Sequence, residues 1–273
     1  MRVNGWGNSG ILHTGRMRIE LATQPGDSLR PNEDFVSVAL PASGHGGALV
    51  LLDGVTPPPD GATGCAHGVP WFTARLGGAL LELAASRPDM TLRECLSAGI
   101  SRTADAHRDV CDLSHRRTPQ ATVVLARWDA GAVEHLVLSD SALLIEGPGG
   151  AVRAVLDDRI ARLAALGPVT DGQRNAEGGF FTAAADPAVA GRAVTGTTPR
   201  TDVRALGALS DGAARWVEVF REGGWRECFS VLAKEGPGAL IERVREAELA
   251  DPDGRSFRRG KPHDDAAALY AEL

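Results

Sequence analysis

The sequence lacks the features that mark disulfide-rich, zinc-binding and nucleic-acid-binding proteins. Its four cysteines, at positions 65, 95, 111 and 228, are widely spaced and form no Cys-x-x-Cys pair. This spacing gives weak support for a disulfide framework or a zinc site, and buried thiols in a reducing compartment are the better interpretation. The net charge is −6 and no basic block is long enough to follow a phosphate backbone, so we expect no nucleic acid partner.

Long apolar runs and an amino-terminal targeting pattern are also missing. No apolar run is long enough to span a bilayer, so we expect no membrane partner. Residues 1–14 contain glycines and polar residues rather than a charged region followed by an apolar one, and we expect no signal peptide. These absences together predict a cytoplasmic protein.

The chain has no internal repeat and no linker that clearly divides it. Its 273 residues, of which 43% are hydrophobic, suit one large domain or two small ones and are enough for a sizeable core. We predict a flexible tail over residues 1–16 and a single domain over residues 17–273. Residues 157–204 have no strong pattern and are interpreted as a surface flap or insert. We expect the chain to be a monomer.

The pattern of apolar residues predicts an α+β fold. Helices are predicted over residues 68–86 and 91–112, and the second begins with a capping box of Thr91 and Glu94. Residues 121–155 predict an antiparallel meander, in which residues 142–146 continue the strand over 133–138. Helices also follow residue 211, so we expect helices packed outside two stacked sheets.

Acidic residues recur where predicted strands begin or end. They occur in Glu33-Asp34, in Leu52-Asp53-Gly54, in Ser139-Asp140, in Ser210-Asp211-Gly212 and in Asp264-Asp265. Carboxylates that converge at one sheet edge repel one another unless cations lie between them. Oxygen ligands without a cysteine or histidine cluster favour Mg²⁺ or Mn²⁺. A pair of such ions about 4 Å apart is a recurrent device for hydrolysis.

These motifs, together with Thr118-Pro119-Gln120-Ala121-Thr122, resemble in their order the metal-dependent protein phosphatases of type 2C. The resemblance covers the chain from about residue 17 to its end and suggests a divergent, bacterial-like member. It implies a four-layer α-β-β-α sandwich, in which two antiparallel sheets are flanked by helix pairs. It also implies hydrolysis of phosphoserine or phosphothreonine in proteins by direct attack of a metal-activated water.

The resemblance assigns metal-binding roles by position. Asp53 resembles the carboxylate that bridges two Mg²⁺ or Mn²⁺ ions, and Gly54 the residue that offers its carbonyl. Asp211 and Asp264 resemble the other ligands of one ion. Asp140 resembles the aspartate that holds a third ion together with Asp211.

Two further roles follow from the resemblance. Glu33 and Asp34 resemble the acids around the second ion, some of which act through water. Arg30 resembles the arginine that grips the substrate phosphate, although the usual arginine lies one residue further upstream. Asp265 stands where the family usually has asparagine.

These departures keep other functions open. One alternative is a pseudophosphatase, a binding module without chemistry, and another is a phosphatase of a small phosphorylated metabolite, suggested by the stiff loop Val55-Thr56-Pro57-Pro58-Pro59. Single motifs also have ordinary interpretations. Asp-Gly pairs occur as turns in many proteins. His67 is either a proton donor near the site or a hydrogen-bonded histidine at a helix start. The basic stretch over residues 255–261 either attracts a phosphoprotein or is a solvated loop.

Overall fold

The computed structural model describes residues 10–14, 17–42, 46–57 and 62–273, and shows two antiparallel sheets packed face to face. The six-stranded sheet has, in spatial order, β1 (Gly10–Thr14), β2 (Met17–Gln24), β11 (Ala266–Glu272), β10 (Ala205–Leu209), β7 (Ala142–Glu146) and β8 (Val152–Val155). The five-stranded sheet has β3 (Phe35–Ala39), β4 (Gly47–Leu52), β5 (Val123–Trp128), β6 (Ala132–Leu138) and β9 (Val194–Pro199).

Helices cover the outer face of each sheet. The helices are α1 (Gly68–Ser86), α2 (Leu92–Asp105), α3 (Arg159–Leu166), α4 (Asp211–Glu218), α5 (Trp225–Glu235) and α6 (Pro237–Ala250). The first two pack on the five-stranded sheet and the last three on the six-stranded sheet, while a third apolar layer lies between the sheets. The predicted four-layer α-β-β-α sandwich is therefore confirmed. Among the described residues, no helix combines the length and apolar character needed to cross a membrane.

Burial on both faces explains why the central strands read as continuous apolar runs. Residues 48–52 of β4 are fully buried, because alternate side chains pack against α1 and against the six-stranded sheet. The capping box that begins α2 is also present: Thr91 Oγ1 accepts from the Glu94 N–H and Glu94 Oε2 accepts from the Thr91 N–H.

Two predictions about strands are wrong. Residues 10–14 do not belong to the predicted flexible tail, because they form β1 and pair with β2, which in turn pairs with β11. Residues 142–146 do not continue the preceding strand: β6 and β7 belong to different sheets. The left-handed φ of 70° at Ser139 ends β6 and redirects the chain.

Two further segments differ from their predictions. The second helix ends at Asp105 rather than near residue 112, and turns follow in which the Asp112 N–H donates to the Gly64 carbonyl at 2.8 Å. Residues 157–204 are not wholly a surface flap. β9 pairs with β6, and the 3₁₀ helix Pro187–Arg192 contributes to the core on the α2 side.

The cysteines fall into two groups. Cys95 and Cys228 are buried thiols, as predicted. Cys65 and Cys111 are only partly buried, and their sulfurs lie 3.3 Å apart, so the prediction of buried thiols is wrong for this pair. Part of the stiff loop predicted over residues 55–59 lies outside the described residues.

Candidate active site

The predicted acids gather at one end of the two sheets because neighbouring antiparallel strands bring them there. Phe35, the first residue of β3, pairs with Leu52, the last residue of β4. Asp34 and Asp53 therefore lie next to each other at the open end of the β3–β4 hairpin. β10 and β11 pair in the same way, which places Asp211 near the residues that precede β11. Asp140 lies where the chain crosses from β6 to β7.

Asp53 is held by contacts on its backbone and on its carboxylate. The Asp211 N–H donates to Asp53 Oδ2 at 3.1 Å. The Thr122 N–H donates to the Asp53 carbonyl at 2.9 Å, and Thr122 Oγ1 lies 2.5 Å from Ser141 Oγ. Thr122, which precedes β5, thus fixes the loop that carries Asp53, and Ser141 of the β6–β7 crossing contacts Thr122 in turn.

Gly54 fits a place that no larger residue could take. A Cβ there would lie 2.4 Å from Val69 Cγ1 and 2.5 Å from the Glu33 carbonyl oxygen. Gly54 lies opposite Ala121 in an isolated β-bridge. The backbone hydrogen bonds of this bridge join the Thr122 N–H to the Asp53 carbonyl and the Val55 N–H to the Gln120 carbonyl. The Gly54 carbonyl is therefore outside these hydrogen bonds, as a ligand role requires.

Mutual repulsion and burial shape the protonation of this cluster. Burial, together with the neighbouring carboxylates Asp211, Asp34 and Asp140, raises the pKa of Asp53 well above its ordinary value. Burial and the charges of Asp264 and Asp140 raise the pKa of Asp211 to about 6. Burial also raises the pKa of Asp140, against the hydrogen bond from Ser139. Carboxylates in this state are stabilised by a cation.

Asp34 gives the most direct evidence for a cation site. Its Oδ2 is buried and, within the described residues, has no hydrogen-bond partner. Burial raises the pKa of Asp34 well above its ordinary value; the Ser210 hydroxyl opposes this, and Asp211 adds to it. A buried acceptor without a donor is rare and costs free energy, so this oxygen is suited to a metal ion.

Glu33 is engaged at the edge of the cluster. Thr56 Oγ1 donates to Glu33 Oε2 at 2.5 Å. Burial raises the pKa of Glu33, whereas Thr56 and the Lys261 ammonium lower it. Asp265 does not join the cluster through its carboxylate, which accepts from the N–H groups of Gly26 at 2.8 Å and Glu33 at 2.7 Å.

Asp264 already has two cationic partners that the sequence did not predict. Arg215 donates to Asp264 Oδ2 at 2.8 Å, and Lys261 Nζ donates to Oδ1 at 2.5 Å. Lys261 Nζ also donates to Thr56 Oγ1 at 2.8 Å. Spacing gives a signal only for Arg215, which lies four residues after Asp211, one helical turn along α4. Lys261 precedes Asp264 in a loop, where no local period points to it.

Arg30 and Asp53 line different cavities. A cleft of about 360 Å³ is lined by Asp53, Asp140, Asp211 and Asp264 together with the cations Arg174, Arg215 and Lys261. Arg30 is exposed and lines an adjacent groove of about 240 Å³. Thr56, Lys261 and Asp264 border both. Arg30 therefore lies in the groove that adjoins the cleft of Asp53, and Thr56, Lys261 and Asp264 form the border between the two.

Two residues of this region were missed by sequence reasoning. Burial and the charges of Asp140 and Asp211 raise the pKa of Glu218, at the end of α4, to about 7. Arg174 lines the cleft, and burial lowers its pKa although Asp171 and Asp140 oppose this. Arg174 Nε is buried and has no hydrogen-bond partner among the described residues. It lies in a segment without a readable pattern, so no signal pointed to it.

Comparisons with solved structures identify the class of fold. Stp1, a serine/threonine phosphatase from Staphylococcus aureus, is similar with a TM-score of 0.62 at 13% identity, over 100% of this chain and 99% of Stp1. Serine-threonine phosphatase 2C from Toxoplasma gondii matches with a TM-score of 0.56 at 11% identity, over 98% of this chain and 99% of that one. RsbX, solved in complex with magnesium, matches with a TM-score of 0.56 at 9% identity, over 97% and 99%.

No protein-family model and no curated protein matches the sequence. The chain has the fold of serine/threonine phosphatases of type 2C, and the predicted resemblance is confirmed at the level of the fold.

Proposed function

We propose that the chain is a metal-dependent phosphatase that acts on phosphoserine or phosphothreonine in proteins. The observation that carries the proposal is the convergence of Asp34, Asp53, Asp140 and Asp211 at one end of the two sheets, with pKa values raised by burial and mutual repulsion. This cluster lies in a fold shared with serine/threonine phosphatases.

The chemistry of these donors fits Mg²⁺ or Mn²⁺. Asp53, Asp211 and the unpartnered Oδ2 of Asp34 are the proposed ligands nearest the centre, with the Gly54 carbonyl beside them. Glu33, Asp140 and Asp264 are proposed around them, for two ions and a third near Asp140. When bound, such ions lower the pKa of a water molecule and polarise a phosphoryl oxygen. RsbX, which shares the fold, was solved with magnesium.

The chain's own cations are proposed to bind the substrate phosphate. Arg174 lines the same cleft as Asp53, and its unpartnered buried Nε can donate to an anion. We propose Arg174 for the contact with the substrate phosphate that the resemblance implied for Arg30. Arg30, in the adjacent groove, is placed to contact residues that flank a phosphorylated side chain. A phosphoprotein is the proposed partner.

Hydrolysis of p-nitrophenyl phosphate with Mn²⁺, Mg²⁺ or EDTA tests the proposal. We expect turnover that requires metal and falls at least about 100-fold in Asp53→Asn and in Asp211→Asn, because each change removes a charge that holds the cation. Asp129→Asn is the matched control, since Asp129 follows β5 at a turn away from the cluster. Metal-independent turnover, or turnover unchanged in both variants, contradicts the proposal.

Substrate class is tested with the same protein. Phosphoserine and phosphothreonine peptides should be hydrolysed in preference to small phosphorylated metabolites. Preference for metabolites would favour the alternative of a small-molecule phosphatase.

One observation favours a second candidate, a pseudophosphatase that binds a partner without chemistry. Lys261 and Arg215 already neutralise Asp264, one of the proposed metal ligands. If these cations replace a metal ion, calorimetry will show no binding of Mn²⁺ at millimolar concentration and no phosphatase turnover. Metal-dependent turnover rejects this candidate.

A further inference from the structure

Outside the carboxylate cluster, two cysteines and two histidines from separate turns converge on one point. Cys65 and His67 precede α1, and His107 and Cys111 follow α2. Each side chain offers one ligand atom, and these four atoms all lie within 4.8 Å of one another. We propose that these residues bind a structural zinc ion.

The distances between the ligand atoms fit the edges of a tetrahedron. Cys65 Sγ lies 3.7 Å from His67 Nδ1, 3.5 Å from His107 Nδ1 and 3.3 Å from Cys111 Sγ. Cys111 Sγ lies 3.4 Å from His67 Nδ1. Usual zinc–sulfur and zinc–nitrogen distances give tetrahedral edges of about 3.8 Å between two sulfurs and about 3.6 Å between sulfur and nitrogen. Four of the six edges are therefore close to those of a tetrahedral site, and the other two, which join His107 to His67 and to Cys111, are no longer than 4.8 Å.

The backbone sets up both halves of the site. Gly64 and Gly68 bracket the first half with left-handed φ values of 69° and 78°. A side chain at Gly64 would lie 2.6 Å from His115 Cβ, so the turn depends on glycine. In the second half, the Cys111 N–H donates to the His107 carbonyl at 3.0 Å, which closes one helical turn and places both side chains on the same side.

Neighbouring groups orient the ligands. The ring of Trp71 stacks on His67 at 4.2 Å between centroids and lies 5.0 Å from His107. The His67 N–H donates to Cys65 Sγ at 3.4 Å. Such outer contacts fix ring orientation and thiolate position at zinc sites.

The chemistry of the donors selects the ion and its role. Two thiolates and two imidazoles favour zinc over the hard ions proposed for the carboxylates. With all four positions supplied by protein, no position is open for a substrate, so the site is structural. A Cys65–Cys111 disulfide is the competing interpretation, but it would use neither imidazole, and both thiols are free in the structure.

The site would anchor the segment that leaves the carboxylate cluster. The loop that begins at Asp53 and Gly54 reaches Cys65, and Gly64 is tied to Asp112 by a hydrogen bond of 2.8 Å. α1, which begins directly after His67, presses Val69 against Gly54. Zinc therefore would fix the far end of this loop and the start of α1 together.

The first test is the metal content of the full chain, purified under reducing conditions without added zinc or chelator. Mass spectrometry of the elements should find about one zinc ion per chain, falling at least tenfold in Cys111→Ser and in His107→Gln. Cys95→Ala is the matched control because Cys95 is a thiol outside the cluster. Asp53→Asn should also keep its zinc, which separates this site from the proposed active site.

The second test uses the unaltered protein and does not depend on folding of a variant. Unfolded apoprotein refolded with Co²⁺ should show the thiolate-to-cobalt charge-transfer band and the intense visible bands of tetrahedral coordination. Two results overturn the proposal. One is the absence of both zinc and the cobalt spectrum while all thiols titrate as reduced. The other is a peptide map of the freshly purified protein that links Cys65 to Cys111 through a disulfide.

Discussion

Lys261 shows how a single cation changes the electrostatics of an acidic cluster. Burial by itself lowers the pKa of its ammonium group, but Asp264, Asp211 and Asp53 outweigh this and hold the pKa above its ordinary value. The side chain is thus a fixed cation among carboxylates, bonded to Asp264 at 2.5 Å. A divalent ion that uses Asp264 must compete with it.

Removal of this cation should strengthen metal binding. In Lys261→Ala the cluster keeps its carboxylates and loses a competing positive charge, so we expect the dissociation constant for Mn²⁺ to fall roughly tenfold. Isothermal titration calorimetry measures this directly. Lys234→Ala, at an exposed lysine of α5, should leave the constant unchanged. Weaker binding in Lys261→Ala would mean that Lys261 supports the metal site rather than competing for it.

At the scale of elements, a buried ion pair joins α4 to α6 and reaches the site. Arg215 donates to Glu248 at 2.7 Å and to Asp264 at 2.8 Å, and the side chains of Arg215 and Glu248 are 6% and 0% exposed. Arg245 and His263 also contact Glu248, each at 2.8 Å. The two helices and the loop before β11 are therefore held by one carboxylate.

Loss of that carboxylate should destabilise the fold. In Glu248→Ala, Arg215 keeps its buried charge without its partner on α6, and we expect a loss of about 3 to 5 kcal/mol in the free energy of unfolding. The double variant Arg215→Met, Glu248→Leu should recover part of this loss, because the buried guanidinium that lost its partner on α6 is removed as well, although Asp264 and Arg245 each lose one partner. Urea denaturation followed by circular dichroism measures all three proteins.

Glu246→Ala provides the control, since Glu246 is exposed on the same helix. Its stability should lie within about 0.5 kcal/mol of the unaltered chain. If Glu248→Ala is equally mild, the pair is not a clamp between α4 and α6.

Some elements of the site could be predicted from sequence and others could not, for a physical reason. An apolar run fixes where a buried strand ends, and so Asp53 and Asp211 were found at a sheet edge. The cations Lys261 and Arg174 come from loops, whose paths depend on tertiary packing rather than on a local period. The left-handed residue Ser139, which sends β7 to the other sheet, likewise has no signature in the apolar pattern.

At the scale of the whole molecule, the four layers were predictable because helices and strands differ in period. The cysteine–histidine cluster was not, because 46 positions separate Cys65 from Cys111 and only the packing of α1 against α2 brings them together. A histidine also lies in the layer between the two sheets. The alternation of residues along a strand predicts which positions are buried, but it does not predict which residue occupies each of them. His135 shares a face of β6 with Val133 and Val137, which belong to the layer between the two sheets.

The position of His135 makes the stability of the whole fold depend on pH. Burial, with the charge of Arg153, lowers the pKa of His135 to about 4, and its Nδ1 has no hydrogen-bond partner among the described residues. An exposed histidine in the unfolded chain has a pKa of about 6.5. As the pH falls through this interval, the unfolded chain takes up a proton that the native protein does not, so stability falls.

The variant His135→Leu isolates this effect from the titration of the carboxylates, which both proteins share. Between about pH 7.5 and about pH 5, the unaltered chain should lose about 1 to 2 kcal/mol more stability than the variant. Urea denaturation at both pH values gives the two differences. Above about pH 7 histidine is neutral in both states, so the offset between the proteins should not change there. If the stabilities of the two proteins fall in parallel as the pH decreases, His135 becomes protonated without unfolding. Water would then reach the layer between the sheets.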